Sequence, residues 1–454
     1  MTASPRASIH TLGCRLNQAE SVLLRDQLEA AGYLMAPFGE PADLGIINTC
    51  TVTQEAEAKC RKAIRRFLRA NPEGFLAVVG CYSQTGAKAI AAIPGVDLIV
   101  GNEDKLTVPE HARMGKNPAP VILRDRIDPK DFSITFAGER PWPKRANLKM
   151  QDGCDFMCSF CIIPFARGRA RSRDWDNTLA EARSLAARGV RELVLTGVNI
   201  GTYAHSGHGI EDLVDALATV GGVRRIRISS IEPTTVPDGV LRRMEDPAHP
   251  LMPLLHLPLQ AGSDEVLGAM RRKYTVAEYA AFARRALGTV PDLCLGTDIM
   301  VGFPGETEEE FAETCRLFSE INFAYAHIFP YSERPGTLAL KRGTAMVPVP
   351  ERRRRREVLR RLAARRRRRF MERYLGETLE VLLEDPREGR WPGLTANYIR
   401  VVTDGPPGED MCNRFARVRL DRVAGDYVEG TLVALESTDR RERAEIPADV
   451  VRTA

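Results

Sequence analysis

Three cysteines within eight residues carry the most specific chemistry in this sequence. Cys154, Cys158 and Cys161 stand at positions i, i+4 and i+7, and one short loop can turn three such thiols toward a common centre. Three thiolates are one fewer than a closed zinc site or a fully cysteine-ligated iron–sulfur cluster requires. A cluster held by these cysteines therefore keeps one iron open, as a catalytic metal site keeps an open position. The alternatives are a zinc site completed by a distant residue and three unrelated thiols.

Three further cysteines occupy equivalent positions near the start of the chain. Residues 1–115 alternate short apolar runs with helical patterns, which predicts an open parallel α/β sheet. Cys14, Cys50 and Cys81 each follow a predicted strand directly, at the edge where such sheets bind ligands. We therefore predict a second three-cysteine iron–sulfur cluster. The alternative is that these thiols only fill strand ends, since cysteine is commonly buried. Cys60 lies within a predicted helix and is interpreted as incidental.

The middle of the chain predicts a second parallel sheet. Residues 116–143 are rich in proline and polar residues and are interpreted as a linker. Beyond them, six apolar runs alternate with helical patterns, which is typical of a partial parallel barrel, more open than an eight-stranded one. These candidate strands are 147–151, 192–196, 225–229, 254–259, 293–301 and 324–330. The loop with Cys154 follows the first of them, at the rim where barrel enzymes keep their chemistry.

Two histidines, His256 and His327, lie on apolar strands of this predicted barrel. Histidines in that setting are more often packed and hydrogen-bonded than catalytic. We therefore predict a structural role for both.

Two arginine-rich stretches follow. Arg167, Arg169, Arg171 and Arg173 alternate just after the cysteine loop, where they could form a solvated face or bind the phosphates of an RNA. Residues 352–369 hold twelve arginines and one glutamate, a net charge of +11 that leaves the remaining chain at about −6. This run predicts a basic helix joining two domains, an arrangement that favours an electrostatic contact with nucleic acid.

The last part of the chain predicts a small β module. Residues 378–383, 393–402, 415–420 and 427–435 alternate in hydrophobicity like short strands. We therefore predict a small antiparallel barrel there. Cys412 has no thiol partner in this region and is interpreted as inert.

Composition bounds the class of protein. The 454 residues are 44% apolar and 28% charged, which predicts a globular chain of about three domains. No apolar run approaches the ~20 residues of a membrane span, and the first ten residues lack the apolar region of a signal peptide. We therefore predict a cytoplasmic protein with no membrane partner. Ten cysteines are too sparse for a disulfide scaffold.

The contexts of six cysteines resemble those of one enzyme family. The matching segments are Thr11-Leu12-Gly13-Cys14 with Asn17, Asn48-Thr49-Cys50, Gly80-Cys81, and Gly153-Cys154 through to Cys161. These segments resemble the methylthiotransferases, and the spacing of the last three cysteines resembles the signature of radical S-adenosylmethionine enzymes. The resemblance covers nearly the whole chain.

This resemblance implies cofactors, a fold and partners. It implies two 4Fe–4S clusters and S-adenosylmethionine as cofactors, with no catalytic residues beyond the cluster cysteines. The expected partners are the anticodon stem-loop of a tRNA, an electron donor and a sulfur donor. It also implies three domains, namely a cluster domain at 1–115, a radical barrel at 144–350 and a nucleic-acid-binding TRAM domain at 374–445, with the basic helix at 351–373. The cofactor wall is expected to include Phe160, Thr196, Asn199, Ser230, Glu232 and Gln260.

The expected reaction is the addition of a methylthio group to carbon 2 of a modified adenosine beside the anticodon. Residues 196–203 and 329–337 look most like the branch that acts on N6-threonylcarbamoyladenosine. The alternatives are the isopentenyladenosine branch, a branch that modifies an aspartate of a ribosomal protein, and a non-catalytic iron–sulfur protein that binds RNA.

Overall fold

The computed structural model describes residues 4–112, 115–138 and 145–436. It contains two parallel α/β sheet systems followed by a small closed β-barrel. The predicted fold class is confirmed. The end of the predicted linker, at 139–143, and the last residues of the predicted C-terminal domain, at 437–445, lie outside the described residues.

The N-terminal sheet has six parallel strands in the order β2-β1-β3-β4-β5-β6. Apolar side chains on both faces of its strands pack against helices, which explains why β3 and β4 are buried at every residue. Residues 121–123, inside the predicted linker, form its sixth strand and pair with residues 98–100. The strands are β1 (Arg6–Thr11), β2 (Leu34–Met35), β3 (Leu44–Thr49), β4 (Phe75–Gly80), β5 (Leu98–Val100) and β6 (Val121–Leu123), and the helices are α1 (Arg15–Ala30), α2 (Gln54–Ala70), α3 (Cys81–Ala91) and α4 (Val108–Ala112).

The central region forms the predicted partial barrel. Two three-stranded parallel sheets, β11-β10-β7 and β12-β13-β14, are joined by the parallel bridge between Ile226 and Leu251. Their outer faces pack against helices in the largest apolar core of the described chain. The strands are β7 (Ala146–Lys149), β8 (Gln151–Asp152), β9 (Arg171–Ser172), β10 (Glu192–Thr196), β11 (Arg225–Ile228), β12 (Leu254–His256), β13 (Cys294–Val301) and β14 (Tyr325–Pro330).

Helices separate the six strands of the two parallel sheets, so each of these six strands is followed by a loop at the same rim, whereas β8 and β9 form a separate antiparallel pair. The barrel helices are α5 (Ile163–Arg167), α6 (Trp175–Ala187), α7 (Ile210–Ala218), α8 (Asp238–Glu245), α9 (Asp264–Met270), α10 (Val276–Thr289), α11 (Glu308–Glu320) and α12 (Leu338–Lys341).

The arginine run forms one 24-residue helix, α13 (Val349–Glu372). Its buried face carries Leu359, Ala363 and Phe370, so the helix is anchored by apolar contacts while most of its arginines remain outside. Arg352 and Arg355 are exceptions, because both are buried and reach Glu333 and Glu306 respectively.

The chain ends, within the described residues, in a closed five-stranded barrel. The predicted strand at 393–402 is in fact two strands, because a turn with Tyr398 at φ +65° separates them. The strands are β15 (Thr378–Leu383), β16 (Trp391–Thr395), β17 (Arg400–Thr403), β18 (Phe415–Ala424) and β19 (Tyr427–Leu435). Over the residues that the structure describes, no helix has the length and apolar character needed to cross a membrane.

Candidate active site

The loop that carries Cys154, Cys158 and Cys161 is held rigidly at the barrel rim. Gly153 precedes it with φ +69°, and a Cβ at this position would lie 1.9 Å from the backbone oxygen of Arg169. Only glycine therefore fits there. The backbone N–H of Ser159, in mid-loop, donates to the Met270 carbonyl at 2.9 Å. These contacts fix the positions of the three thiols.

The three thiols lie close enough to influence one another. Burial raises the pKa of Cys161 to about 12, and the neighbouring Cys158 and Cys154 add to that shift. Burial also raises the pKa of Cys154, to about 11. Without a metal these thiols are protonated at neutral pH, and metal binding supplies the free energy for their deprotonation. Three converging thiols without a fourth protein thiolate suit an iron–sulfur cluster with one open iron.

An arginine that sequence reasoning missed lies beside this loop. Arg272 donates from Nη1 to the Cys158 sulfur at 3.3 Å, and its Nη2 contacts the Glu232 carboxylate. Its Nε donates to the Tyr274 hydroxyl at 3.0 Å. Burial raises the pKa of Glu232, and Arg272 opposes that shift. A guanidinium beside both a cysteine and a carboxylate can bind a carboxylate ligand. The 114 residues between Arg272 and Cys158 explain why no local pattern revealed it.

Asn199 carries an unused hydrogen-bond donor. Its Oδ1 accepts from the backbone N–H of Glu232 at 3.2 Å and from the Thr235 hydroxyl at 3.0 Å. Its Nδ2 is buried and has no hydrogen-bond partner in the described structure. Since buried donors are almost always satisfied, this free amide fits a polar cofactor group.

The other residues predicted to line the cofactor site differ in their burial and in whether their polar groups are already hydrogen-bonded. The buried Thr196 hydroxyl already donates to the Val194 carbonyl at 3.0 Å. Gln260 has φ +69°, and its backbone bonds to β13 through Asp298 and Met300. Ser230 and Phe160 are half-buried. The prediction that these residues contact the cofactor stays a prediction.

The N-terminal cysteines end three neighbouring strands. β1, β3 and β4 are adjacent in the sheet, so Cys14, Cys50 and Cys81 lie along one edge. Burial raises the pKa of Cys50 to about 12, and Cys81 and Cys14 add to that shift, as adjacent thiols would. A Cβ on Gly13 would lie 2.8 Å from the Cys50 Cβ, so the first loop packs directly on the second.

Two asparagines connect these cysteine loops to their surroundings. Asn17 donates to the Leu12 and Thr49 carbonyls at 2.7 and 2.9 Å, which ties the loops before Cys14 and Cys50 together. Asn102 donates to the Ala166 carbonyl at 2.6 Å and approaches the Cys81 sulfur at 3.6 Å. The donor set again suits a cluster with one open iron.

Cys60 lies closer to this edge than its mid-helix position suggested. Its sulfur accepts from the Cys50 backbone N–H at 3.4 Å, and it is fully buried. It therefore supports the loop that carries Cys50.

Three of the four arginines that follow the cysteine loop are buried, which corrects the expectation of a shared RNA-facing or solvated face. Arg167 is 1% exposed and bonds to Asp152 at 2.9 Å and to Glu20 at 3.0 Å. The other two buried arginines contact Glu103 and Glu181 respectively. Because their guanidinium groups are occupied by carboxylates, Arg167, Arg171 and Arg173 join parts of the protein to one another. Arg169 remains exposed, and its contact with an RNA phosphate stays a prediction.

Arg167 belongs to a buried ionic network between the N-terminal sheet and the barrel. Lys105 and Lys149 contact the same Glu20 carboxylate, Lys149 at 2.8 Å. The network therefore contains three cations and two carboxylates. Glu20 and Lys105 belong to the N-terminal region, and Lys149, Asp152 and Arg167 belong to the barrel, so the network fixes how the two sheet systems meet.

Comparisons with known proteins agree with this geometry. Residues 148–318 match the Radical SAM superfamily, and residues 6–101 match Uncharacterized protein family UPF0004. The chain is similar in fold to the radical S-adenosylmethionine methyltransferase TsrM of Kitasatospora setae, with a TM-score of 0.53 at 15% identity, over 74% of this chain and 77% of that one.

Sequence relatives extend over nearly the whole chain. The chain is 37% identical to a threonylcarbamoyladenosine tRNA methylthiotransferase of Bacillus subtilis, over 94% of this chain and 96% of the relative. It is 36% identical to a protein of the same name from Aquifex aeolicus, over 88% and 97%. It is 33% identical to a tRNA-2-methylthio-N(6)-dimethylallyladenosine synthase of Maricaulis maris, over 95% and 98%. The chain therefore belongs to the radical S-adenosylmethionine methylthiotransferase family.

Proposed function

We propose that this enzyme adds a methylthio group to carbon 2 of N6-threonylcarbamoyladenosine beside the anticodon of tRNA. The observation that carries this proposal is the 37% identity to the Bacillus subtilis threonylcarbamoyladenosine enzyme over nearly the full length of both chains. The two separate sets of three cysteines support it, because the reaction needs both a radical and a sulfur atom. One set, with Cys154, follows a barrel strand, and the other, with Cys14, follows sheet strands.

The cofactors of the family are 4Fe–4S clusters and S-adenosylmethionine, and they supply the radical and the methyl group. We propose that Cys154, Cys158 and Cys161 hold one cluster and that Cys14, Cys50 and Cys81 hold the other. Radical chemistry suits this target because its C–H bond is neither acidic nor electrophilic. General acid or base groups of the protein could not activate such a bond, which leaves the side chains with binding and orientation.

Around the first cluster, we propose that Arg272 binds the carboxylate of S-adenosylmethionine. The side chain of Arg272 is 3% exposed, and its Nη1 donates to the Cys158 sulfur, so this donor lies at the proposed cluster, where it could form a charge-assisted hydrogen bond with a carboxylate. The free Nδ2 donor of Asn199 would bind a polar group of the same cofactor. The proposed wall is completed by Phe160, Thr196, Ser230 and Gln260.

For the RNA, we propose contacts from Arg169 and from the outer face of α13. Arg169 is 61% exposed in its side chain. Arg353, Arg365 and Arg369 on α13 are exposed as well. Exposed arginines bind phosphates without reading sequence, while single-stranded anticodon loops let bases be extruded at a cost of a few kcal/mol. An electron donor and a sulfur donor complete the proposed set of partners.

The domain division is also a proposal. Residues 1–115 form the proposed cluster domain, to which strand β6 at 121–123 adds an edge. Residues 144–350 form the radical barrel, 351–373 the basic helix and 374–445 the proposed RNA-binding TRAM domain.

The test is mass spectrometry of nucleosides from reactions with reconstituted enzyme. One tRNA carries N6-threonylcarbamoyladenosine and a second carries dimethylallyladenosine. The second substrate tests the alternative suggested by the name of the Maricaulis maris relative. We expect the 2-methylthio product, with 5′-deoxyadenosine, from the first tRNA. A 2-methylthio product from the second tRNA alone would assign the protein to the dimethylallyladenosine branch of the family. Cys50→Ala should lower the iron bound per chain by one whole cluster.

A further inference from the structure

A cavity of about 220 Å³ lies where three parts of the chain meet. Its floor is apolar, with Cys294, Ala324, Phe370 and Met371. Its polar residues come from helix α1, strand β14, helix α13 and the C-terminal barrel. They are Arg15, Tyr325, His327, Arg367, Tyr398 and Arg400.

Arg15 is the residue that directly follows the cluster cysteine Cys14. It is half-buried, and Nη2 donates to the Tyr398 hydroxyl at 2.5 Å. Its guanidinium also lies 5.7 Å from the centre of the Tyr398 ring. In the part of the chain that the structure describes, no carboxylate lies at ion-pair distance from Arg15. A partly buried cation without an anion is costly, so an anionic ligand would stabilise it.

The other cations of the cavity are only loosely paired. Arg367 reaches Asp426 at 3.9 Å and Arg400 reaches Glu384 at 3.6 Å, both near the limit of an ion pair. Asp298 lies close to the cavity, because its carboxylate is 3.2 Å from His256 Nε2 and within 4.8 Å of a ring nitrogen of His327. Three arginines and no carboxylate are therefore among the residues that line the cavity.

The wall of the cavity connects to polar residues inside the barrel. His256 Nδ1 lies 3.1 Å from the hydroxyl of Tyr325 in the cavity wall, and His256 Nε2 lies 3.2 Å from Asp298. The cavity is therefore lined by the residue next to Cys14, and its wall connects through His256 to Asp298 inside the barrel.

We propose that this cavity binds the carboxylate-bearing threonylcarbamoyl substituent of the target adenosine, with Arg15 as the ligand of its carboxylate. The inference rests on the proposed function and deepens it. The volume is below the 300–1,000 Å³ of a pocket for a whole drug-sized ligand, so it suits a substituent of a base. The three arginines suit an anion, and the apolar floor suits the aliphatic part of threonine.

This assignment gives a physical reason for choosing between the two modified adenosines. A dimethylallyl group carries no charge, so in this cavity it would desolvate Arg15 without replacing the lost water contacts. Sites built around a polar partner reject analogues that lack it more strongly than apolar pockets reject small changes in size. Tyr398 acts here as a positioning residue, because its hydroxyl holds Arg15.

The test compares anticodon stem-loops that differ only in the substituent. One carries the threonylcarbamoyl group as the free carboxylate and one as the methyl ester, so the phosphate contacts are the same. We measure binding by fluorescence anisotropy and product by mass spectrometry, with enzyme containing both clusters. Wild-type enzyme should bind the acid roughly 10- to 100-fold more tightly than the ester, the ratio expected of a charge-assisted hydrogen bond.

Variants complete the test. Arg15→Gln should lose this preference, Arg15→Lys should keep part of it, and Tyr398→Phe should weaken it. Arg284→Gln, an exposed arginine of α10 paired with Glu320 at 3.5 Å, is the matched control and should behave as wild type. Iron content reports whether the Arg15 variants still hold the adjacent cluster.

The comparison of acid and ester on wild-type enzyme needs no variant, so it decides the matter even if Arg15→Gln loses its cluster. Equal affinity for acid and ester would overturn the carboxylate site. The proposed function would then stand if wild-type enzyme still made the methylthio product from the acid stem-loop. Absence of that product, with product from the dimethylallyl stem-loop, would instead overturn the proposed function.

Discussion

Replacing Arg167 with methionine tests the assignment of this arginine to the protein interior rather than to RNA. Methionine fills much of the same volume but leaves Glu20 and Asp152 without their shared guanidinium. It also removes the 2.6 Å contact to Asn17 Oδ1. Since Asn17 ties the cysteine loops of the N-terminal sheet together, the change should loosen the contact between the two sheet systems. It should also loosen the cluster proposed at Cys14, Cys50 and Cys81.

The free-energy cost of removing Arg167 can be estimated from its buried ion pairs. Removing one partner of a buried ion pair costs about 3–5 kcal/mol. Lys105 and Lys149 remain with Glu20, so the lower end, about 3 kcal/mol, applies. Because 1.4 kcal/mol is a factor of ten, openings of this contact should become roughly 100-fold more frequent.

The assay is hydrogen exchange of α1 and β7, the elements on either side of the network. Arg169→Met is the matched control, because its pair with Asp155 is exposed on both sides and such pairs contribute about 0–1 kcal/mol. Arg169→Met should instead weaken RNA binding and lower its salt dependence. If Arg167→Met left exchange unchanged while weakening RNA binding, the reasoning would be refuted.

Three further predictions concern the loop, the cofactor and pH. Gly153→Ala should abolish the cluster that Cys154 helps to hold, because the new Cβ meets a backbone oxygen 1.9 Å away; normal iron content in the variant would contradict this. Arg272→Leu should weaken S-adenosylmethionine binding roughly 10- to 100-fold by equilibrium dialysis, as loss of a charged hydrogen bond predicts, and unchanged affinity would remove Arg272 from the site. Burial favours a raised pKa at Glu192, but the paired Arg227 reverses this and holds that pKa below its usual value. The folded-state pKa of Glu192 is thus below its unfolded value, so the contribution of this carboxylate to stability is complete above pH ~4 and should be lost as the pH falls further. In urea unfolding, the stability of Glu192→Gln should therefore depend less on pH below pH ~4 than that of the wild type.

Local sequence patterns predicted much of the fold and of the candidate site. The spacing of Cys154, Cys158 and Cys161 predicted the radical site because all three proposed ligands come from one loop. The position of Cys14, Cys50 and Cys81 after strands predicted the second set, and the structure places these strands side by side in one parallel sheet. Hydrophobic periodicity likewise predicted six barrel strands and the basic helix, since it reports directly on which face is buried.

Only the tertiary structure decided the contacts between distant segments. Arg167 looks like an exposed arginine in its local sequence, and its burial depends on Glu20, 147 residues away. Arg272 and Cys158 are 114 residues apart, and Arg15 and Tyr398 are 383 apart. Hydrophobic periodicity shows which face of a helix or strand is buried, but it does not show which charged residue of another element contacts that face. Ionic networks and substrate cavities form where elements pack, so their partners become known only when the whole chain is folded.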